Sequence, residues 1–420
     1  MPGVREIKQK FKSSIRRGTG EAYLLLRDNP GIDFSKEITA ACVKNYAYDG
    51  QCEQSRAPYL YELAALAGKV EEIKPAILAA IELRHEDTWT RSQLFQLSKL
   101  YAENGDTNAR EAIYNNFYKY PVTRNDWVGY AEIIDLDGLD GLKFIASKVG
   151  RALYEDSDDW HDDGEISYLE RVNPEIDAWL ELDKAAEYDP FIKIYLDRIR
   201  ETLGSRTAGP KLKVVRKDAV EETLSISRAR AAHRKWTKSD LKKIAQRLIT
   251  EKQCTNREKL LSVFRRNKYP FDSEIILQIA QKARGKEQRI AFDALANLKS
   301  PEIRTFAIKG LTDSAQPQKF TIILKSNYKK GDGRLLTAII NNTRNEGLIE
   351  LLLINLIEVY TASSVKECTA PLEALYNKSK CALHRYDIVK LLIENDVLSS
   401  KIKDELPFDC SKNVRELASK

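Results

Sequence analysis

Apolar residues recur three to four positions apart in short runs along most of the chain, and each run closes at a polar or glycine-bearing break. In residues 290–311, IAFDALANLKSPEIRTFAIKGL, Ala291, Leu295 and Leu298 share one face of a first helix. Ile303, Ala307 and Leu311 share one face of a second. At the turn, Ser300 predicts an N-cap for the second helix. Pro301 suits the first helical position, where its missing N–H is no loss, and Glu302 faces the positive helix end. Two short amphipathic helices cannot bury their stripes alone, so the pattern predicts that such units stack on one another.

The same period runs through the rest of the chain. A first helix is predicted over 4–16, with Val4, Ile7, Phe11 and Ile15 on one face, and reads as a cap over the end of an array. Breaks at 29–31 (NPG), 48–51 (YDGQ), 67–69 (AGK) and 103–106 (ENGD) separate helices in the first third. The second half predicts helices over 239–251, 256–266, 273–283, 287–299, 302–311, 317–327, 333–343 and 346–360. Segments 63–81, 97–117 and 295–311 align as loose copies of one unit, with a period of about 30 to 45 residues. Strand patterns are nearly absent; residues 211–217, KLKVVRK, read as extended chain or loop.

The helix, the turn with proline, then an acid, an apolar residue, Arg304 and an alanine resemble the HEAT repeat, with Ser300 where that family usually has aspartate. Residues 255–418 resemble the end of uncharacterised bacterial HEAT-repeat proteins in the spacing of Tyr, Cys, Arg and Arg-Glu-Leu. The resemblance implies an all-α chain, a right-handed α-α superhelix of the HEAT-like (armadillo-type) solenoid class. The domain reading is helix pairs over 1–154, an acidic segment and linker over 155–215, and helix pairs over 216–420. Gly, Ser and Pro in 204–213 mark the linker.

Composition narrows the classes. A 420-residue chain with 43% hydrophobic and 31% charged residues is that of a folded protein. Its longest apolar run, 348–360, is broken by Glu350, Asn355 and Glu358, so it predicts a buried helix and no membrane partner. No secretory signal pattern opens the sequence, which predicts a cytoplasmic protein. Six cysteines without a CxxC pair and four scattered histidines predict free thiols and no metal or other cofactor.

A net charge of only +6 conceals two opposed blocks. Residues 155–190 hold 14 acids against two bases, and residues 198–270 hold 21 bases against seven acids. In the acidic block Asp158, Asp159, Trp160, Asp162 and Asp163 are candidates for contact with a partner protein. Their offsets do not fit a calcium loop. In the basic block Arg228, Arg230, Arg234, Lys235, Arg265, Arg266 and Lys268, with Trp236 among them, are candidates for phosphate contact and base stacking. Nucleotide-binding and hydrolase signatures are absent. The expected function is a non-enzymatic scaffold that binds a protein partner on its concave face. The alternative is a nucleic-acid binder acting through 227–270, at its extreme an enzyme similar to the HEAT-like DNA glycosylases that excise alkylated purines. Trp89 with Arg91, Trp127 with Arg124 and Asp126, or Trp236 with Asp240 would then supply the aromatic and charged groups.

Overall fold

The structure, a computed structural model, describes residues 3–83, 86–120, 128–156, 161–206 and 218–419. All regular elements among them are helical. None of these helices is long and apolar enough to cross a membrane. The linker and extended segment expected over 207–217 lie outside the described residues, as do Asp158, Asp159, Trp160, Arg124, Asp126 and Trp127.

The chain forms two compact units. The first comprises residues 1–212, 380–382 and 404–420; the second comprises 213–379 and 383–403. In the second unit the helices Arg228–His233, Cys254–Val263 and Gly285–Leu295, the 3-10 segment Pro317–Lys325 and the helix Glu346–Ser363 touch one another in that order and make a row. Helices Glu274–Lys282 and Pro301–Asp313 each pack against a member of this row. The Ser300 turn forms as its chemistry dictates. The Ser300 hydroxyl accepts the Ile303 amide at 3.1 Å, Pro301 opens the helix, and Ala291, Leu295, Leu298, Ile303, Ala307 and Leu311 are all buried. Glu274–Lys282 packs closely on Gly285–Leu295, and Pro301–Asp313 on Pro317–Lys325. A connection of only two residues, Ala283 and Arg284, folds the first of these pairs back on itself. The longer link from Ala296 to Ser300 carries the chain from one pair to the next.

Successive pairs are joined by polar groups that recur with the period of the array. Asn267, Asn297 and Asn327 stand 30 residues apart, just after the second, third and fourth row elements. The Asn297 amide donates to the Phe264 and Arg265 carbonyls at 3.0 and 2.9 Å, closing helix-end acceptors that have no partner within their own helix. One pair further on, the buried Asn327 amide donates to the Leu298 carbonyl at 2.8 Å while its oxygen accepts the Ser300 amide at 3.2 Å. Ion pairs keep the same step. Arg228 meets Glu258, Arg257 meets Glu287, Arg265 meets Asp293 at 2.8 Å, and Arg304 forks onto Asp332 with both contacts at 2.8 Å.

The first unit starts with helix Val4–Arg17 and continues to helix Pro190–Arg206. Its first helix buries Phe11 and Ile15 as predicted. The residues at its C-terminal end are not bare, because segment 404–420 returns there. The Cys410 amide donates to the Gly18 carbonyl at 2.9 Å, Phe408 stacks on Tyr23 with ring centroids 3.9 Å apart, and Arg415 forks onto Glu62 at 3.1 and 2.7 Å. Glycine is required at this approach. Gly18 ends the first helix at φ 72°, and a Cβ on Gly20 would lie 1.9 Å from the Glu405 carbonyl oxygen. Arg56, 2% exposed, binds Glu53 at 2.9 Å and reaches the Lys380 carbonyl at 3.4 Å, tying a second returning stretch to the same region.

The acidic block is not a separate linker in the described residues. Helices Gly164–Val172, Ala178–Ala186 and Pro190–Arg206 pack against helix Tyr130–Glu155 and bury Ile166, Leu169, Ala178 and Leu182. Their acids face outward with one exception. The buried Glu165 carboxylate contacts the His161 ring at 3.0 Å and accepts the Tyr195 hydroxyl at 3.1 Å, and burial beside this carboxylate raises the Tyr195 pKa well above its ordinary value. Glu132, on the long helix, is buried with Lys99 and Gln96 as its favourable neighbours, and loss of hydration pushes its pKa up to about 7.

Two outcomes follow. Asn327→Ala leaves the buried Leu298 carbonyl and the half-buried Ser300 amide without their partner and lowers stability by about 1–3 kcal/mol, measured by urea unfolding. Glu132 holds its proton more tightly folded than unfolded, so stability falls as pH rises from 4.5, its ordinary value, to about 7. Glu132→Gln flattens that part of the stability profile.

Candidate functional site

The row in the second unit leaves a groove of about 610 Å³ across its five members. Each member contributes: Ala232 and His233 from the first, Arg265 and Arg266 from the end of the second, Arg289, Asp293 and Ala296 from the third, Ile322 and Lys325 from the fourth, and Ile354, Ile357, Glu358 and Thr361 from the fifth. The floor is therefore aliphatic and the rims carry charge. Arg289 and Asp293 lie one turn apart on one helix, as do Ile354 and Glu358 on another.

The charges do not cancel. Arg265 is held by Asp293 at 2.8 Å and Lys325 by Glu358 at 2.8 Å. Burial raises the Asp293 pKa, and Arg265 and Arg289 act against that shift. Arg266 and Arg289 are exposed and make no ion pair or hydrogen bond with the described residues. An anion entering the groove meets two uncommitted guanidiniums, with a third released if Asp293 is neutralised. Among the described residues the lining contains no Phe, Tyr or Trp, and its one aromatic ring is the imidazole of His233.

Of the basic residues singled out in the sequence, Arg265 and Arg266 are brought together in the groove and the rest are distributed elsewhere. Arg228 pairs with Glu258. Arg234 pairs with Glu222 and lies 5.2 Å from the Trp236 ring centroid. The half-buried Trp236 donates its indole N–H to the Ala231 carbonyl at 2.9 Å. Arg230, Lys235 and Lys268 are exposed outside the groove lining. In the acidic set, Asp162 accepts the Gly164 amide and Asp163 the Ser167 hydroxyl, both at 3.2 Å, so these two carboxylates support the start of their own helix.

The constellations considered for base excision are committed to structure where they are described. Arg91 is buried and donates to Asn116 at 3.1 Å and to the Tyr120 carbonyl at 2.8 Å. Asp240 closes a capping box with Thr237. The groove residues missed in the sequence are Arg289, Lys325, Ile354 and Glu358. They occur singly, one or two per helix, and only the register of Asn267, Asn297 and Asn327 aligns them. In that register Lys325 falls 60 residues after Arg265, at the same position of the repeat.

Compared with known proteins, the chain matches no family model, no curated protein and no solved structure.

Proposed function

We propose that the chain is a non-enzymatic scaffold of the HEAT-like α-solenoid type, with the right-handed superhelical stacking that its turn motif implies, and that its second unit receives an anionic macromolecular partner. The observation that carries this reading is the groove itself. Five consecutive row elements contribute to one continuous surface, and that surface keeps Arg266 and Arg289 uncommitted while their neighbours are paired. Repeat arrays bind through extended surfaces of this kind, where each repeat adds one or two side chains. What the groove offers is positive charge and aliphatic contact, which supports recognition.

A nucleic-acid partner is the second reading. It is favoured by the exposure of Arg230, Lys235, Arg266 and Lys268 within one stretch of the chain. Base excision would be its extreme form.

The first reading places the partner's negative charge on Arg266 and Arg289 in the groove, and the second adds Arg230, Lys235 and Lys268 outside its lining. Fluorescently labelled oligonucleotides and an acidic polypeptide, titrated with the full chain from about 50 to 200 mM salt, are expected to bind more weakly as salt rises. Arg266→Glu with Arg289→Glu is expected to lower affinity at least about tenfold. Asp293→Asn releases Arg265 and is expected to raise it severalfold. Failure of every polyanion to bind, or equal binding by the double variant, overturns the assignment of the groove.

A further inference from the structure

We infer that the occupant of the groove is an acidic amphipathic α-helix of a protein partner. This deepens the scaffold reading and rests on the groove being the docking surface. The chemistry of the lining separates the two anionic classes. Single-stranded nucleic acid is held by aromatic faces that stack on bases as well as by cations, and the described lining has no Phe, Tyr or Trp to offer, only the imidazole of His233. Its floor is instead aliphatic, with Ala232, Ala296 and Ile322 already buried and the apolar surface on offer supplied by Ile354, 41% exposed between charged neighbours, and the half-buried Ile357. A sugar-phosphate backbone laid on that floor loses hydration and gains no polar contact in return. An apolar helix stripe gains burial at the same place, at about 25 cal/mol for each Å² removed from water.

The amount of charge points the same way. Duplex nucleic acid presents one negative charge for about every 1.7 Å of its axis, which calls for many free cations along a track. The groove has two uncommitted guanidiniums, Arg266 and Arg289, and the His233 ring beside them. Two or three carboxylates along one edge of a helix, at i and i+4, match that number. Arg265 with Asp293 and Lys325 with Glu358 remain as neutral pairs that set the position of the acidic edge. The mode is that of an amphipathic helix laid in a groove, with apolar anchors at i, i+3, i+4 and i+7.

The test uses the full chain and four dye-labelled probes followed by fluorescence anisotropy. These are an amphipathic Leu/Glu helical peptide of about 18 residues, roughly 27 Å long, a scrambled peptide of equal composition, a Leu/Lys counterpart, and oligothymidine. The Leu/Glu peptide is expected to bind at least tenfold more tightly than its scramble. Arg266→Glu with Arg289→Glu is expected to weaken it by at least tenfold and to strengthen the Leu/Lys peptide. Ile354→Glu is expected to abolish Leu/Glu binding. Thr361→Trp, which fills the groove from an exposed position, provides the same readout if Ile354→Glu proves unstable by circular dichroism. Equal affinity for the scramble, or no binding of the Leu/Glu peptide, overturns the inference. Oligothymidine binding that depends on Arg266 and Arg289 but not on Ile354 overturns the acidic helix and leaves the groove as a docking surface. Loss of binding by all four probes removes both readings.

Discussion

The side-chain amide of one helix pair closes the carbonyls at the turn of its neighbour, and the order of the second unit depends on that contact. A helix end presents acceptors that its own backbone cannot satisfy. Asn297 and Asn327 each supply the missing donor from the next pair along. The contact fixes register as well as proximity, because a pair displaced by one helical position would leave both the amide and the carbonyl unpaired. Arg304 strengthens the same joint by holding Asp332 and donating to the Asn327 carbonyl at 2.6 Å.

Fixed register is what turns separate side chains into a surface. Arg265 and Lys325 occupy the same place in the repeat, and their acidic partners come from the following element each time, Asp293 for the first and Glu358 for the second. Two cations are thereby neutralised in a regular manner, while Arg266 and Arg289 escape the pattern. The aliphatic floor has the same origin, since row elements that pack side by side expose one narrow strip between their contacts. Recognition and stability therefore draw on the same periodic spacing.

Local chemistry was legible in the sequence and neighbour chemistry was not. The Ser300 cap, Pro301 and the stripes of the two adjoining helices are decided within a few residues, and the structure has them where the pattern predicts. The basic block was legible as charge but not as a site. Arg228 and Arg234 look identical to Arg266 in sequence, and only the fold brings Glu258 and Glu222 to the first two. The acidic block misleads for a related reason. Its charge count suggests a solvated segment, yet Ile166, Leu169 and Leu182 recur among the acids at helical spacing and are wholly buried. Segment 404–420 carries no local signal of its destination, because what it meets was specified some 350 residues earlier.

That return has a temporal consequence. Arg415 and Glu62 are 353 residues apart, and synthesis at about 5–20 residues per second separates their emergence by roughly 20 to 70 s. Throughout that interval Tyr23 lacks the Phe408 ring and the Gly18 carbonyl lacks the Cys410 amide. The unit whose helices leave the ribosome first thus lacks these contacts until segment 404–420 has been made.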